Sequence, residues 1–98
     1  MDEATNLIGQ MVVVRSSPSG VWLGRLVARE GTMVTLTAAR RAWSWEGAAS
    51  CSGLAARGPR GGRIAEPVAV AIIADACEVL AATPVAVIAW EKIQPWVA

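Results

Sequence analysis

The run from Val21 to Trp45, VWLGRLVAREGTMVTLTAARRAWSW, is broken only at Glu30-Gly31-Thr32. On both sides of that break apolar and polar residues alternate, which is the period of a pleated strand and not of a helix. Val21 to Glu30 and Met33 to Thr37 are therefore strands, and the turn between them folds them back as an antiparallel hairpin or meander. In the first strand Trp22, Gly24, Leu26 and Ala28 share the face expected to enter the core, while Leu23, Arg25, Val27 and Arg29 share the other. Gly24 between two large side chains marks a bulge or the close approach of another backbone. In the second strand Val34 and Leu36 oppose Thr35 and Thr37. The extended run continues through Ala38 to Trp45, and strict alternation puts Arg41, Trp43 and Trp45 on one side, with Arg40, Ala42 and Ser44 on the opposite side.

The remaining elements are shorter. Residues 1–9 form a loose arm or a lead-in, and the β-branched Met11 to Arg15 is a strand stopped by the Pro and Gly of Ser16 to Gly20. Ser50 caps a short helix with apolar positions at Cys51, Leu54 and Ala55, ended by Gly58. Arg57 to Pro67, with its Gly, Pro and three arginines, has the composition of a mobile loop. Val68 to Ile73 and Cys77 to Ala81 are two further strands. Thr83-Pro84 starts a second helix with an apolar stripe of Val85, Ile88 and Ala89; Pro95 stops it, and Trp96-Val97-Ala98 is an apolar tail built to dock. The expected fold is a single α+β domain over 1–98, a small mostly antiparallel sheet with two short helices and no internal repeat or linker.

Composition narrows the function. At 98 residues, 54% hydrophobic and 17% charged, the chain is a packed globular domain. So short a chain with five Trp leaves much apolar surface uncovered when it folds alone, and a homo-oligomer is expected. A net charge of +1 is too small for non-specific coating of nucleic acid, although a local basic site is compatible with it. With no His and only Cys51 and Cys77, the usual ligand sets for a metal are missing, and the two thiols are expected to be free in a reducing cytoplasm. Val68 to Trp90 is long and apolar, but Asp75, Glu78 and Pro84 interrupt it, each acid costing about 2.5–3.5 kcal/mol at a bilayer centre, so no membrane span is expected.

No catalytic signature stands out. Ser50, Cys51 and Ser52 have no His, and nothing in the sequence places Asp75, Glu46, Glu66 or Glu78 near them, so no catalytic residue and no cofactor are expected. Gly58-Pro59-Arg60-Gly61 fits a G-x-x-G pattern but lacks the flanking residues of a phosphate loop. The informative cluster is Arg40, Arg41, Trp43 and Trp45. Guanidinium groups hold phosphate and indoles stack on bases, a pairing that suits a nucleotide-type small molecule. The competing reading makes Trp43 and Trp45 core or interface aromatics, with the arginines paired to Glu46 or Glu30 across the subunit contact. Because alternation splits Arg40 from Arg41, a pocket using both is more easily built between subunits or where the strand turns at Gly47.

The string from Gly20 to Gly58 resembles a family of small proteins encoded by tailed bacteriophages and prophages. The shared pattern, G-V-W-x-G-x-L, then E-G, then A-R-R-x-W-x-W-x-G-A-x-S-x-S-x-L-A-x-x-G, is carried here by Gly20, Val21, Trp22, Gly24, Leu26, Glu30, Gly31, Ala39, Arg40, Arg41, Trp43, Trp45, Gly47, Ala48, Ser50, Ser52, Leu54, Ala55 and Gly58. ACEVLAAT and the closing Pro-Trp extend the likeness over nearly the whole chain. Cys51 stands where relatives carry leucine, and the RGPRGGRIAE loop differs in length and charge. The resemblance implies a phage-derived accessory protein in the host cytoplasm, and as a class such proteins block or sequester components of host defence. Three functions are expected in turn: a non-enzymatic binding protein that sequesters an anionic nucleotide-type signal at the Arg/Trp cluster, an inhibitor that binds a host protein through an apolar surface, or a virion-associated structural protein.

Overall fold

The computed structural model describes residues 6–97. Its elements run β1 (Met11–Ser16), β2 (Gly20–Glu30), β3 (Met33–Glu46), α1 (Cys51–Ala56), β4 (Gly61–Ile64), β5 (Val68–Ile73), β6 (Ala76–Ala81) and α2 (Pro84–Glu91). A mostly antiparallel sheet with two short helices is thus the observed architecture. The expected arm over residues 1–9 lies partly outside the described residues. Its end is tied to β2: the Gly9 amide donates to Leu26 O at 2.7 Å, and Arg25 Nη1 to Gly9 O at 2.7 Å.

The strand order is β4-β3-β2-β1-β6, and β5 also pairs with β3. The fourteen residues of β3 serve two partners along one edge, β5 beside residues 34–39 and β4 beside residues 42–46. β5 and β6 follow each other through Ala74 and Asp75 alone, yet they lie at opposite ends of the order. In a flat sheet four strand spacings of ~4.8 Å would separate them, whereas three Cα steps of ~3.8 Å must join them, so the sheet rolls up. The link is pinned at the β2–β3 turn, where Thr32 Oγ1 donates to Ala74 O and the Ala76 amide donates to Thr32 O, both at 2.9 Å.

Rolling gives the sheet two buried faces. Val12, Val14, Leu26, Val34, Leu36, Ala39, Ile73 and Ala76 fill the inside of the curve. Val13, Val21, Leu23, Ala42, Leu54, Ala55, Ile64 and Trp90 form a second core between the outer face and the helices. β1 is apolar at every position from Met11 to Val14 because both of its sides are covered. The same fact corrects the reading of β2: Leu23 is as buried as Leu26 because the helices roof its face, and Ala28 is exposed because β2 carries an extra residue at Val27 that inverts the side-chain order. Gly24 does sit at a close approach, since a Cβ there would stand 3.0 Å from Leu36 Cβ and 3.1 Å from Thr37 O.

Both helix caps follow the sequence. Ser50 Oγ accepts from the Gly53 amide at 3.3 Å, and Thr83 Oγ1 accepts from the Ala86 amide at 3.0 Å while donating to Ala56 O at 2.8 Å, which joins the helices. Two expectations change. Val85 and Ile88 face solvent, and α2 docks instead through Ala86 and Trp90, whose indole donates to Leu54 O at 3.2 Å. Arg57 to Pro67 is not all loop, because Gly61–Ile64 pairs with β3. The strand-forming tendency there comes from the partner's exposed edge and not from Gly-Gly-Arg-Ile itself.

Candidate ligand site

All four candidate residues lie on the C-terminal half of β3, and two bulges decide where they point. Leu23 faces Arg40 while Arg25 faces Thr37, so β3 holds one extra residue there, next to Ala38 with its φ of 50°. Ala42 faces Ile64 while Ser44 faces Arg63, so β3 holds another beside Trp43. Each extra residue exchanges inside and outside for the remainder of the strand. Strict alternation, which kept Arg41, Trp43 and Trp45 together, therefore fails at the last of them. Trp45 turns to the helix side, packs on the second core and donates its indole N–H to Ala48 O at 3.1 Å.

Arg40 is an internal clamp. It is 6% exposed, and its guanidinium donates to four backbone carbonyls: Nε to Ala65 O at 2.8 Å, Nη1 to Trp90 O at 2.7 Å, and Nη2 to Ile93 O at 3.0 Å and Ile64 O at 3.4 Å. Trp90 and Ile93 bracket the end of α2, where unpaired carbonyls need donors and favour a cation. Burial pushes the Arg40 pKa down from its ordinary value, and the charge of Glu91 acts the other way. Within the chain neither Glu46 nor Glu30 pairs with Arg40 or Arg41, and among the described residues the ion pair formed is Arg15 Nε with Glu78 Oε1 at 3.1 Å.

Arg41 and Trp43 stay on the surface, and the fold adds two residues that sequence alone did not assign to the cluster. The Arg41 guanidinium carbon lies 4.2 Å from the Trp43 ring centre and 5.8 Å from that of Trp22, its cross-strand partner. Trp43 meets Trp96 edge to face at 6.3 Å, and Arg63 stands over Trp96 at 5.5 Å. The result is a surface rim in the order Arg41, Trp43, Trp96, Arg63, with Trp43 54% exposed. Trp96 arrives because the C-terminal segment does dock, its amide donating to Ile64 O at 2.8 Å. Arg40 holds the same segment at Ile93, so the clamp positions one wall of the rim without facing it. Arg63 and Trp96 are 33 positions apart in sequence, and the bond of the Trp96 amide to Ile64 O, next to Arg63 on β4, brings them together.

The rim offers two guanidinium groups without a carboxylate partner among the described residues and two indoles open to stacking. Its chemistry is recognition of an anion that carries an aromatic ring.

A second surface bears on catalysis. A groove of 390 Å³ is lined by Arg15, Val21, Trp45, Ser50, Cys51, Ser52 and Glu78, so the fold brings Glu78 to the serines and the thiol. Glu78 is engaged by Arg15, and burial, helped by the charge of Glu78, pushes the Cys51 thiol pKa up, which opposes a thiolate nucleophile. Among the described residues no three His, Cys, Asp or Glu side chains gather as a metal site, and no helix is long and apolar enough to cross a membrane. No curated protein and no solved structure matches the chain at a significant level. A family model described as a domain of unknown function (DUF6948) matches residues 9–90, from the lead-in to β1 through Trp90 on α2, and the chain belongs to that family.

Proposed function

We propose that the protein is a non-enzymatic binding protein that sequesters an anionic, nucleotide-type small molecule at the Arg41–Trp43–Trp96–Arg63 rim. The observation that carries this reading is the stacking of an arginine without a carboxylate partner on a half-exposed indole at 4.2 Å, with a second Arg/Trp pair beside it. In a structural role such side chains would be covered or ion-paired. Phosphate oxygens fit the guanidinium groups and a base fits the indoles, each stacked base contributing about 1–3 kcal/mol. The likeness of Gly20 to Gly58 to small phage proteins sets the biological context, an accessory protein that withholds a defence signal in the host cell.

Calorimetry against nucleoside monophosphates, nucleoside diphosphates and cyclic nucleotides tests the reading. Heat of binding is expected for at least one class, with roughly tenfold or greater loss on Arg41→Ala, Arg63→Ala or Trp43→Ala. No heat from the unaltered protein across the panel removes it.

One observation favours the host-protein alternative. Val85 and Ile88 stand exposed on α2 beside an open groove of 590 Å³ that Pro59, Arg60, Lys92 and Ile93 help to line. If that surface is the functional one, Ile88→Lys abolishes capture of a stoichiometric host partner and Trp43→Ala does not.

A further inference from the structure

We propose that the free edge of β5 pairs antiparallel with β5 of a second copy, around a two-fold axis at Val70. Three strand edges of the rolled sheet are candidates for pairing, and the chain treats them differently. The edge of β4 is met by the C-terminal segment, where the Trp96 amide donates to Ile64 O. β6, at the other end of the order, carries exposed Glu78 bound to Arg15 and follows exposed Asp75, and charge of this kind blocks strand addition. Among the described residues β5 bonds to β3 on one side only and has no strand on the other.

Its sequence, VAVAII, holds no charge and no proline, the devices that ordinarily protect an edge. Val68, Val70 and Ile72 are 44%, 57% and 66% exposed on it. A second copy is the partner that fits. Antiparallel pairing about a two-fold is self-complementary, so an uncharged strand meets its own copy without like-charge contact along its length. Centring the pair on Val70 sets Val68 against Ile72 of the other copy at both ends, which uses all three exposed side chains. These leave roughly 300 Å² open per copy, well under the ~800 Å² per partner of a standard interface, so the dimer is weak. Glu66 and Asp75 flank the strand, and in this register Glu66 of one copy approaches Asp75 of the other, so added salt tightens the dimer.

Sedimentation equilibrium of the full chain from roughly 10 μM to roughly 1 mM covers weak association of this kind. The mass is expected to rise from 10.2 kDa towards twice that value, more steeply at high salt, and Val70→Lys is expected to weaken association at least tenfold with an unchanged circular-dichroism spectrum. Val70→Cys in a Cys77→Ser background is expected to form a disulfide between copies on mild oxidation, and Val85→Cys in the same background is not. A monomer at every concentration, an assembly larger than two, association unaffected by Val70→Lys, or association lost with Ile88→Lys instead overturns the proposal. Nucleotide heat is expected to be unchanged in Val70→Lys, so this test and that of the rim fail separately.

Discussion

Replacing Arg40 with Met keeps most of the aliphatic stem and removes the guanidinium, which separates its role in the fold from any role in binding. Four carbonyls lose the guanidinium, although Ile64 O keeps the Trp96 amide at 2.8 Å and Trp90 O keeps the Ile93 amide at 3.2 Å. The Ile64 contact, at 3.4 Å, is long and contributes little; Ala65 O and Ile93 O are only partly buried and can bind water instead. The Trp90 carbonyl, bonded at 2.7 Å in a buried position at the end of α2, keeps only the longer bond from the Ile93 amide at 3.2 Å. A charge-assisted hydrogen bond contributes about 1.5–3 kcal/mol, and three short ones are lost, to Trp90 O, Ala65 O and Ile93 O. Removing the cation also removes its desolvation cost, which offsets part of the loss. The net expectation is a loss of about 3 kcal/mol, or a fall in Tm of about 12–24 °C for a domain of this size. Urea unfolding followed by circular dichroism reads the first quantity, and thermal melting the second. Arg40→Lys recovers part of the loss, because one ammonium cannot span four acceptors arranged for a planar fork. A loss below about 1 kcal/mol in Arg40→Met would refute the reasoning, since the remaining amides and water would then replace the guanidinium in full.

Packing and ionisation set two further outcomes. Gly58→Ala adds a Cβ 2.6 Å from Ala89 Cβ and 2.8 Å from Ala86 O at a backbone φ of +82°, so it pushes the helices apart and strains the turn; a loss of about 2–4 kcal/mol is expected in urea unfolding. Burial raises the Cys51 thiol above its ordinary value, so the folded state holds that proton more tightly than the unfolded one. The contribution is fully present below the unfolded thiol's pKa and is lost as pH rises through the folded one. Unfolding midpoints measured from pH 7 to pH 10.5 therefore fall at the alkaline end, and fall less in Cys51→Ala. Iodoacetamide mapping at pH 8 should modify exposed Cys77 ahead of half-buried Cys51.

The β2–β3 ribbon, both capped helices and the close approach at Gly24 were legible because each rests on a local signal: alternation, a Ser or Thr cap, or a missing side chain. The orientation of the cluster was not. Its arginines and tryptophans could be named from composition, but the bulges beside Ala38 and Trp43 have no reliable local mark, and each one inverts the faces. Arg40 therefore moves from candidate ligand group to clamp, and Trp45 moves to the helix core. Arg63 lay in a segment whose glycines suggested a loop, and Trp96 lay in a tail whose docking was foreseen without its destination. The apolar stripe on α2 misled for a related reason, since small Ala86 and large Trp90 fit the sheet better than Val85 and Ile88.

The central claim is that the rim binds an anionic aromatic ligand, and the five indole N–H groups report on it separately. Two-dimensional 1H–15N spectra of the labelled protein, assigned by single Trp→Phe variants, can be recorded during titration with nucleoside diphosphates and cyclic nucleotides, with inorganic phosphate as the control. The account predicts that the Trp43 and Trp96 indole resonances shift saturably with a nucleotide and much less with phosphate alone, while Trp45 and Trp90, held by Ala48 O and Leu54 O, stay in place. Saturable shifts confined to Trp45 or Trp90, or no shift with any nucleotide, would contradict it.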